Sequence, residues 1–549
     1  MYRFHFVVFI TVIFQIYCIK VTATPFVFLQ QEKIEKKPAT KTKDGQNYPI
    51  LQVMDIRSPE AISMAGLLFS GMSRISLRLG QFTKNFIYKQ IIKKDDLRGE
   101  EVFLEPLYIY VKQGGNRPKR GFYLENNDSL IDKTGAYYIE LFPQLELFES
   151  IFAHENGHLI HHYLSEFYFK YSPNRFYHTL PAITDYKVAF NEGWGEHFEV
   201  MVADMTKNRK VKSFYEPIEM KGRAYFFQLQ DFMNLAQKFK RFSWVKQNLF
   251  AFKRRSYFNL QFKDDVRVKS YFYNWVNPDF QLGRLKNAQQ MLSCEGLIST
   301  LFYRIVTDTS LQNRYRDKKF YAQFFIKEQK KPVKEIISPI ENIYLKLIYA
   351  KYNLFKELQA KDYTLPIPLM LELVKKYVKL FPEDANDILL HFCENTFFTT
   401  VWDSALPYYQ NCDSAARLVL YDMKNARVTF KNLVKKITQG LKEIRQSPEK
   451  LGQYVGRPLW IENDKFVKAT EKDSAAKIIS INLNAAEDFE LITIPGFTIE
   501  VAQEFVNYRD RHGPFKSIEH IKESKLLKQG QFLELKRMQE LFFQKLESL

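Results

Sequence analysis

Two histidines four residues apart, with a glutamate beside the first, are the residues of this chain best suited to metal chemistry. His154, Glu155 and His158 lie in a stretch whose apolar periodicity predicts a helix. Residues four apart share one helix face, so both imidazoles can bind one Zn²⁺ ion. Zinc lowers the pKa of a bound water to about 7, and a neighbouring carboxylate such as Glu155 can take the proton. The spacing therefore predicts a zinc centre that activates water.

A second acidic segment downstream supplies the candidate third ligand. The run Asn-Glu-Gly-Trp-Gly-Glu occupies residues 191–196. HExxH followed by Asn-Glu-Gly on a second helix resembles the gluzincin metallopeptidases, especially the aminopeptidase N type. The resemblance implies that Glu192 is the third ligand and that one coordination position stays open for water. A further resemblance, to thermolysin-like gluzincins, implies that Glu196 orients a ligand histidine, with a solvated helix face as the alternative.

Other side chains compete for these roles. His161 lies near the metal-facing side of the first helix, where a satisfied polar residue is the simpler interpretation. His178 and Asp185 are alternatives to Glu192, but neither has a helical motif around it. A metzincin would need glycine at 161 and histidine at 164, where this chain has histidine and Leu164, so that class is excluded.

The sequence identifies no residue that reads a substrate. Tyr257, Tyr271 and Tyr273 lie in the window where the resembled enzymes stabilise an oxyanion. The Gly-x-Met-Glu-Asn segment with which such aminopeptidases bind a free amine is not found, and Glu140 stands in a different context, on a predicted strand. The resemblance covers about residues 100–210 and implies a peptide or protein substrate. It gives no support for aminopeptidase specificity and identifies no particular substrate.

The elements that must position these residues predict an α+β, zincin-like catalytic domain with a small mixed sheet. A helix is expected from Asp55 to about Gln90, and further helices over 145–170 and 185–204. Strand-like runs occupy residues 107–112, 121–124 and 136–142. Of these, 107–112 or 136–142 is expected to form the edge on which an extended substrate binds, unless both are ordinary core strands.

The chain of 549 residues is long enough for about three or four domains. After the catalytic domain, an all-α region and a helix-hairpin-helix domain are expected. The predicted boundaries are a signal peptide at 1–23, a tether at 24–48, the gluzincin-like domain at 49–331, a helical domain at 335–470 and the hairpin domain at 475–549.

The N-terminus has the layout of a secretory signal. Arg3 precedes an apolar run over 6–21, and Val21-Thr22-Ala23 is a small-residue cleavage pattern. An extracytoplasmic location, periplasmic or secreted, is therefore expected, and an uncleaved signal anchor would make a membrane a partner. In an oxidising compartment Cys393 and Cys412 are close enough in sequence to form a disulfide, with buried free thiols as the alternative.

The C-terminal segment resembles the helix-hairpin-helix module of bacterial competence DNA receptors. Pro495-Gly496 would be the tight hairpin, followed by Gly513-Pro514-Phe515, and residues 525–545, with Gly530, would be a degenerate second copy. Such hairpins grip phosphate through backbone N–H groups. Thr498 stands where a second hairpin glycine is usual, which weakens the case for non-specific DNA contact against protein docking or a structural role.

Two hypotheses follow. The first is an exported zinc metallopeptidase in which Glu155 acts as general base. The second is a non-enzymatic envelope factor that binds DNA or docks a protein and has a degenerate zincin domain. The net charge of +18, from 80 basic against 62 acidic residues, suits an anionic partner, although solvated lysine faces explain it equally simply.

Overall fold

The structure is a computed structural model. It describes residues 25–31, 39–92, 105–112, 114–126, 129–143, 147–165, 186–209, 252–254, 280–285, 291–292, 294–360, 369–396, 459–462, 465–468 and 499–542, with single positions at 432, 435, 439, 446, 483 and 491. The predicted mixture of helices with a mixed sheet is confirmed. The described residues form two compact units, of which one contains those up to Tyr163, 205–207 and 316–333, and the other contains the rest. Neither unit coincides with the predicted domain 49–331.

The first unit contains a mixed sheet of eight strands. The strands are β1 (Phe26–Gln30), β2 (Thr40–Lys43), β3 (Gln46–Val53), β4 (Leu107–Val111), β5 (Arg117–Arg120), β6 (Tyr123–Asn126), β7 (Ser129–Asp132) and β8 (Tyr137–Leu141). Their order is β5-β8-β4-β1-β3-β6-β7, and β2 pairs with β3. β1, β4 and β8 run parallel, as do β3 and β6. Leu29, Leu51, Tyr108, Phe122 and Tyr138 belong to a buried apolar cluster on this sheet.

The tether predicted for residues 24–48 is wrong where the structure describes it. β1 lies between β3 and β4 inside the sheet, and Phe26, Phe28 and Leu29 are buried. β2, with sequence Thr-Lys-Thr-Lys, is exposed along its whole length. A strand that faces solvent on both sides contains the same polar residues as a linker. The short apolar run of β1 follows directly on the signal-like segment, so it does not stand out as a separate strand. Composition alone therefore did not separate these strands from a tether.

Of the two possibilities left open for residues 107–112 and 136–142, the structure shows ordinary interior strands, because β4 and β8 each have a neighbour on both sides, whereas β5 and β7 end the sheet. β5 pairs antiparallel with β8 and carries Arg117 and Lys119, which contact Glu140 of β8 at 3.3 and 2.9 Å. Lys112, directly after β4, contacts the same carboxylate at 3.2 Å. Burial alone would raise the pKa of Glu140, but Lys119 and Lys112 lower it overall. Charges and Pro118 on an edge strand are features that oppose pairing with another chain.

The segment predicted as one helix from Asp55 to Gln90 forms two. Helix α1 spans Pro59–Leu68, with the Ser58 side chain accepting a hydrogen bond from the Ala61 N–H. Helix α2 spans Gly71–Ile87 and continues into a π-helical turn at Tyr88–Ile92. Ser70 has an extended backbone and Gly71 has a φ of 43°. This change in backbone conformation separates α1 from α2. Apolar periodicity continues across the break, so the pattern alone joins the two helices.

Two long helices carry the candidate metal motifs. Helix α3 spans Phe148–Ser165 and helix α4 spans Tyr186–Met205, close to the ranges predicted for them. α3 begins shortly after β8, and Tyr137 at the start of β8 makes an edge-on ring contact with Tyr163, with centroids 5.4 Å apart. The parts of the predicted helices and the loop that fall in 166–185 lie outside the described residues.

The later helices belong mainly to the second unit. They are α5 (Glu295–Thr307), α6 (Thr309–Asn313), α7 (Lys318–Ala322), α8 (Val333–Ile336), α9 (Pro339–Ala360), α10 (Leu369–Leu380), α11 (Ala385–Asn395), α12 (Ile499–His512), α13 (Ile518–Glu523) and α14 (Gln529–Phe542). A 3₁₀ turn at Pro382–Asp384 joins α10 to α11, and strand pairs form at β9 (Phe252–Arg254) with β10 (Phe280–Leu285) and at β11 (Leu459–Glu462) with β12 (Lys465–Lys468).

An ion pair is buried where α9, α10 and the 3₁₀ turn meet. Lys346 Nζ lies 2.7 Å from Asp384 Oδ2, and both side chains are completely buried. The Tyr377 hydroxyl donates to the same oxygen at 2.7 Å, and Arg314 approaches Oδ1 at 3.4 Å. Burial, and then the charge of Asp384, raise the pKa of Tyr377 well above its ordinary value. A single carboxylate therefore holds together three elements of this unit.

The predicted signal peptide and one partner of the predicted disulfide, Cys412, lie outside the described residues. The other, Cys393, is a buried free thiol in α11, and burial raises its pKa. Within the described ranges no helix is both long enough and apolar enough to cross a membrane.

Candidate metal centre

Helix α3 presents two imidazoles side by side. His154 and His158 are one turn apart, and their Nε2 atoms lie 2.9 Å from each other. The ring planes are nearly perpendicular, with centroids 4.6 Å apart. His158 is buried and His154 is half-buried, so the pair is held in place while retaining access. Glu155 lies between them in sequence and is 7% exposed.

The imidazole pair on α3 fits a zinc ion. In a tetrahedral zinc site with bonds of about 2.0–2.1 Å, ligand atoms are about 3.3 Å apart. The 2.9 Å between the two Nε2 atoms is close to that value. Helix α4 carries Glu192, the third residue of the expected ligand set. Two imidazole nitrogens and one carboxylate oxygen are the donor set of open, catalytic zinc sites.

Two further acidic side chains of α4, Glu196 and Glu199, are buried. A carboxylate beside a ligand imidazole fixes its tautomer and orientation, which is the role that the sequence predicts for Glu196. The sequence interpretation missed Glu199. The signal was available, because Glu199 lies seven residues after Glu192 and three after Glu196, on one helix face.

The start of α3 is fixed by its first-turn glutamate. The carboxylate of Glu149 accepts hydrogen bonds from the Ser70 hydroxyl at 2.7 Å and from the Thr206 hydroxyl at 3.2 Å. Ser73 donates to the backbone carbonyl of Glu149 at 3.3 Å. A carboxylate near a helix N-terminus also interacts favourably with the helix dipole. The start of α3 is therefore fixed by hydrogen bonds to Ser70 and Ser73, at the beginning of α2, and to Thr206.

Aromatic side chains fix α4 on its other face. Trp194 is fully buried and lies against Phe302 of α5, with ring centroids 5.0 Å apart. His197 Nε2 is 2.9 Å from the Tyr344 hydroxyl of α9. Lys351 Nζ lies 3.8 Å from the centre of the Trp194 ring. Burial lowers the pKa of Lys351 well below its ordinary value. These contacts fix the rotation of the helix that carries Glu192.

Gly193 lies where α4 packs against α5. A Cβ on Gly193 would lie 2.8 Å from the Glu295 carbonyl oxygen and 2.8 Å from Ile298 Cβ, both in α5. α4 is regular through Gly193 and Gly195. The glycine is therefore required for packing α4 against α5, which lies about 100 residues further along the chain.

Several predicted residues lie outside the described part of the chain. These are His178, Asp185, Tyr257, Tyr271, Tyr273, Pro495 and Gly496. His161 is 2% exposed, in line with a satisfied polar residue. Glu140, which stands on β8, is held by three basic side chains.

The C-terminal helices form a small apolar core of their own. Phe505 of α12, Ile518 and Ile521 of α13, and Phe532 and Leu535 of α14 are buried in one cluster. α13 and α14 are joined by a turn over 524–528, in which Lys525 has a φ of 56°. Gly530, within the predicted second copy at 525–545, lies in the first turn of α14.

Comparison with known proteins supports this part of the chain alone. Residues 476–538 match the family model of the helix-hairpin-helix motif, which confirms the predicted module. No curated protein and no solved structure matches the chain. Near its C-terminus the chain therefore carries a helix-hairpin-helix motif, of a kind compatible with a nucleic-acid partner.

Proposed function

We propose that this chain is an exported zinc-dependent metallopeptidase of gluzincin type, with His154, His158 and Glu192 as metal ligands. The observation that carries the proposal is the pair of imidazoles on α3, whose Nε2 atoms lie 2.9 Å apart with Glu155 beside them in the same helix. The helices that carry the three proposed ligands bear HExxH and Asn-Glu-Gly, in that order along the chain. A mixed sheet whose strand β8 leads into the first motif helix further supports a zincin-like arrangement.

The chemistry divides between the metal and one carboxylate. A bound zinc ion would polarise the peptide carbonyl and make water more acidic. Glu155 takes a proton from the attacking water and passes it to the amine nitrogen as the peptide bond breaks. Glu196 keeps the His154 imidazole in the tautomer that leaves a nitrogen lone pair for the metal. These groups act on the peptide bond itself and do not distinguish substrates by their side chains.

The substrate is proposed to be a peptide or protein outside the cytoplasm. The location rests on the signal-like layout of residues 1–23. No preference for a free amino terminus is proposed, because the sequence lacks the Gly-x-Met-Glu-Asn segment. Cleavage within a chain is therefore the simpler mode.

The replacement Glu155→Gln tests the mechanism. We expect zinc content to stay at one ion per chain while hydrolysis of an unstructured protein substrate falls by about 10²–10⁴-fold, since the general base is removed and the ligands are kept. His158→Ala is the comparison variant, which should lose both zinc and activity. If Glu155→Gln retains zinc and turns over substrate at the parental rate, the proposed mechanism is wrong. A parental chain without zinc would favour a non-enzymatic protein.

We infer a second function, contact with nucleic acid, from the helix-hairpin-helix match at 476–538. Lys525 and Lys528 are exposed in the turn between α13 and α14. Two ammonium groups so close together on the surface suit the phosphates of a nucleic-acid backbone. The contact would be independent of base sequence, because phosphate contacts carry no sequence information.

Salt dependence measures this contact directly. For the full chain binding duplex DNA, we expect Lys525→Glu with Lys528→Glu to reduce the slope of log affinity against log salt by about 2, since each lysine would neutralise one phosphate. The matched control is Lys330→Glu with Lys331→Glu, an exposed pair in the other unit with the same change in charge. An equal reduction in both variants would show that total charge, and not the hairpin module, attracts DNA.

A further inference from the structure

The side of α3 that faces away from the histidines carries a buried amide. Asn156 is the third residue of the His-Glu-Asn-Gly-His run and is fully buried. At about 100° per residue, it lies roughly 180° around the helix from the midpoint of His154 and His158. It therefore cannot contact a metal held by those two side chains.

Asn156 is instead hydrogen-bonded to α2. Its Nδ2 donates to the Ser76 carbonyl oxygen at 2.7 Å and to the Ser76 hydroxyl oxygen at 2.8 Å. Gly80, one turn further along α2, leaves the space that the amide occupies, since a Cβ there would lie 3.2 Å from Asn156 Oδ1. Serine, glycine and asparagine thus form a fitted polar contact between the two helices.

The contact matters because a metal centre tolerates little rotation of a helix that supplies two ligands. Side-chain ends lie about 5–6 Å from a helix axis, so a rotation of roughly 20° moves them by about 2 Å. Metal–ligand distances tolerate only about 0.2 Å. Apolar contacts have no directional preference of this precision, whereas a hydrogen-bonded amide does.

We propose that Asn156 is a positioning residue, which sets the rotation of α3 so that His154 and His158 point to one metal ion. The inference rests on the proposed zinc centre and adds a residue on the opposite side of the motif helix. Two residues of α2 contribute to this positioning. Ser76 accepts the hydrogen bonds from the Asn156 amide, and Gly80 leaves the space that the amide occupies.

The test compares two buried amides on the full chain. Asn156→Ala is expected to weaken zinc binding by about 10- to 100-fold in competition with a chelator, the range typical of groups that orient ligands. The control is Asn85→Ala. Asn85 is also a buried amide, donating to the Phe324 carbonyl oxygen at 3.1 Å, but it is on α2 and holds the segment 316–333. It should lose stability and keep parental zinc affinity.

Two further measurements keep the outcome decisive. Gly80→Ala, which retains every hydrogen-bonding group, should weaken zinc binding in the same direction by crowding the amide. In the metal-free chain, Asn156→Ala should raise amide hydrogen exchange in α3, and Asn85→Ala should not. Unchanged zinc affinity in Asn156→Ala, equal losses in Asn156→Ala and Asn85→Ala, or unchanged exchange in α3 would each overturn the inference. A parental chain that binds no zinc overturns the proposed function first, and this inference with it.

Discussion

Replacing Lys346 with methionine is expected to lower the free energy of unfolding by about 3–5 kcal/mol, because it leaves the Asp384 carboxylate buried without its closest cation. Tyr377 donates to the same carboxylate oxygen, but its neutral hydroxyl cannot replace an ammonium ion at 2.7 Å. Arg314 is partly exposed and approaches only at 3.4 Å. Urea denaturation of the parent and the variant, followed by circular dichroism, measures the difference.

An exposed pair serves as the control for this experiment. Lys375 lies 3.0 Å from Glu372 on the surface of α10, and Lys375→Met should cost no more than about 1 kcal/mol. Replacing both buried partners, Lys346→Met with Asp384→Leu, should recover much of the loss, since no charge then remains unpaired. A loss in Lys346→Met as small as that in Lys375→Met would contradict the expected role of the pair.

The replacement Gly193→Ala should destabilise the chain by about 1–3 kcal/mol, although alanine is the better helix former by about 1 kcal/mol. The added Cβ would lie 2.8 Å from the Glu295 carbonyl oxygen and from Ile298, so α4 must move away from α5. Glu192 is the adjacent residue, and we therefore expect zinc affinity to fall as well. Denaturation and chelator competition measure the two effects.

A glycine with open space around it provides the comparison. Gly66 lies within α1, and a Cβ there meets nothing within 4 Å. Gly66→Ala should raise stability by about 0.5–1 kcal/mol and leave zinc affinity unchanged. If Gly193→Ala behaves in the same way, close packing of α4 on α5 is not what requires the glycine.

The candidate site and the fold around it differ in how far local sequence patterns can predict them. The pairing of His154 with His158 depends on helix periodicity, which is local, so spacing alone predicts it. Glu192 came from a resemblance to a known motif. The contact of Gly193 with α5 joins residues about 100 positions apart, and no local pattern indicates such a partner. The sequence pattern does not separate the central strand Phe26–Gln30 from a tether, because five residues are too few for the alternation of apolar and polar side chains to be recognised.

The division of the chain into interleaved stretches has a consequence for how it folds. Phe324 stacks on Phe86 with ring centroids 5.0 Å apart, and its carbonyl oxygen accepts from Asn85, 239 residues earlier. The first unit therefore lacks part of its core until residues 316–333 have been synthesised. Contacts so far apart in sequence form slowly, since a long loop must close before they contribute. The helix with His154 and His158 thus acquires its complete surroundings only when residues 316–333 have folded onto the first unit, which would delay metal loading to that stage.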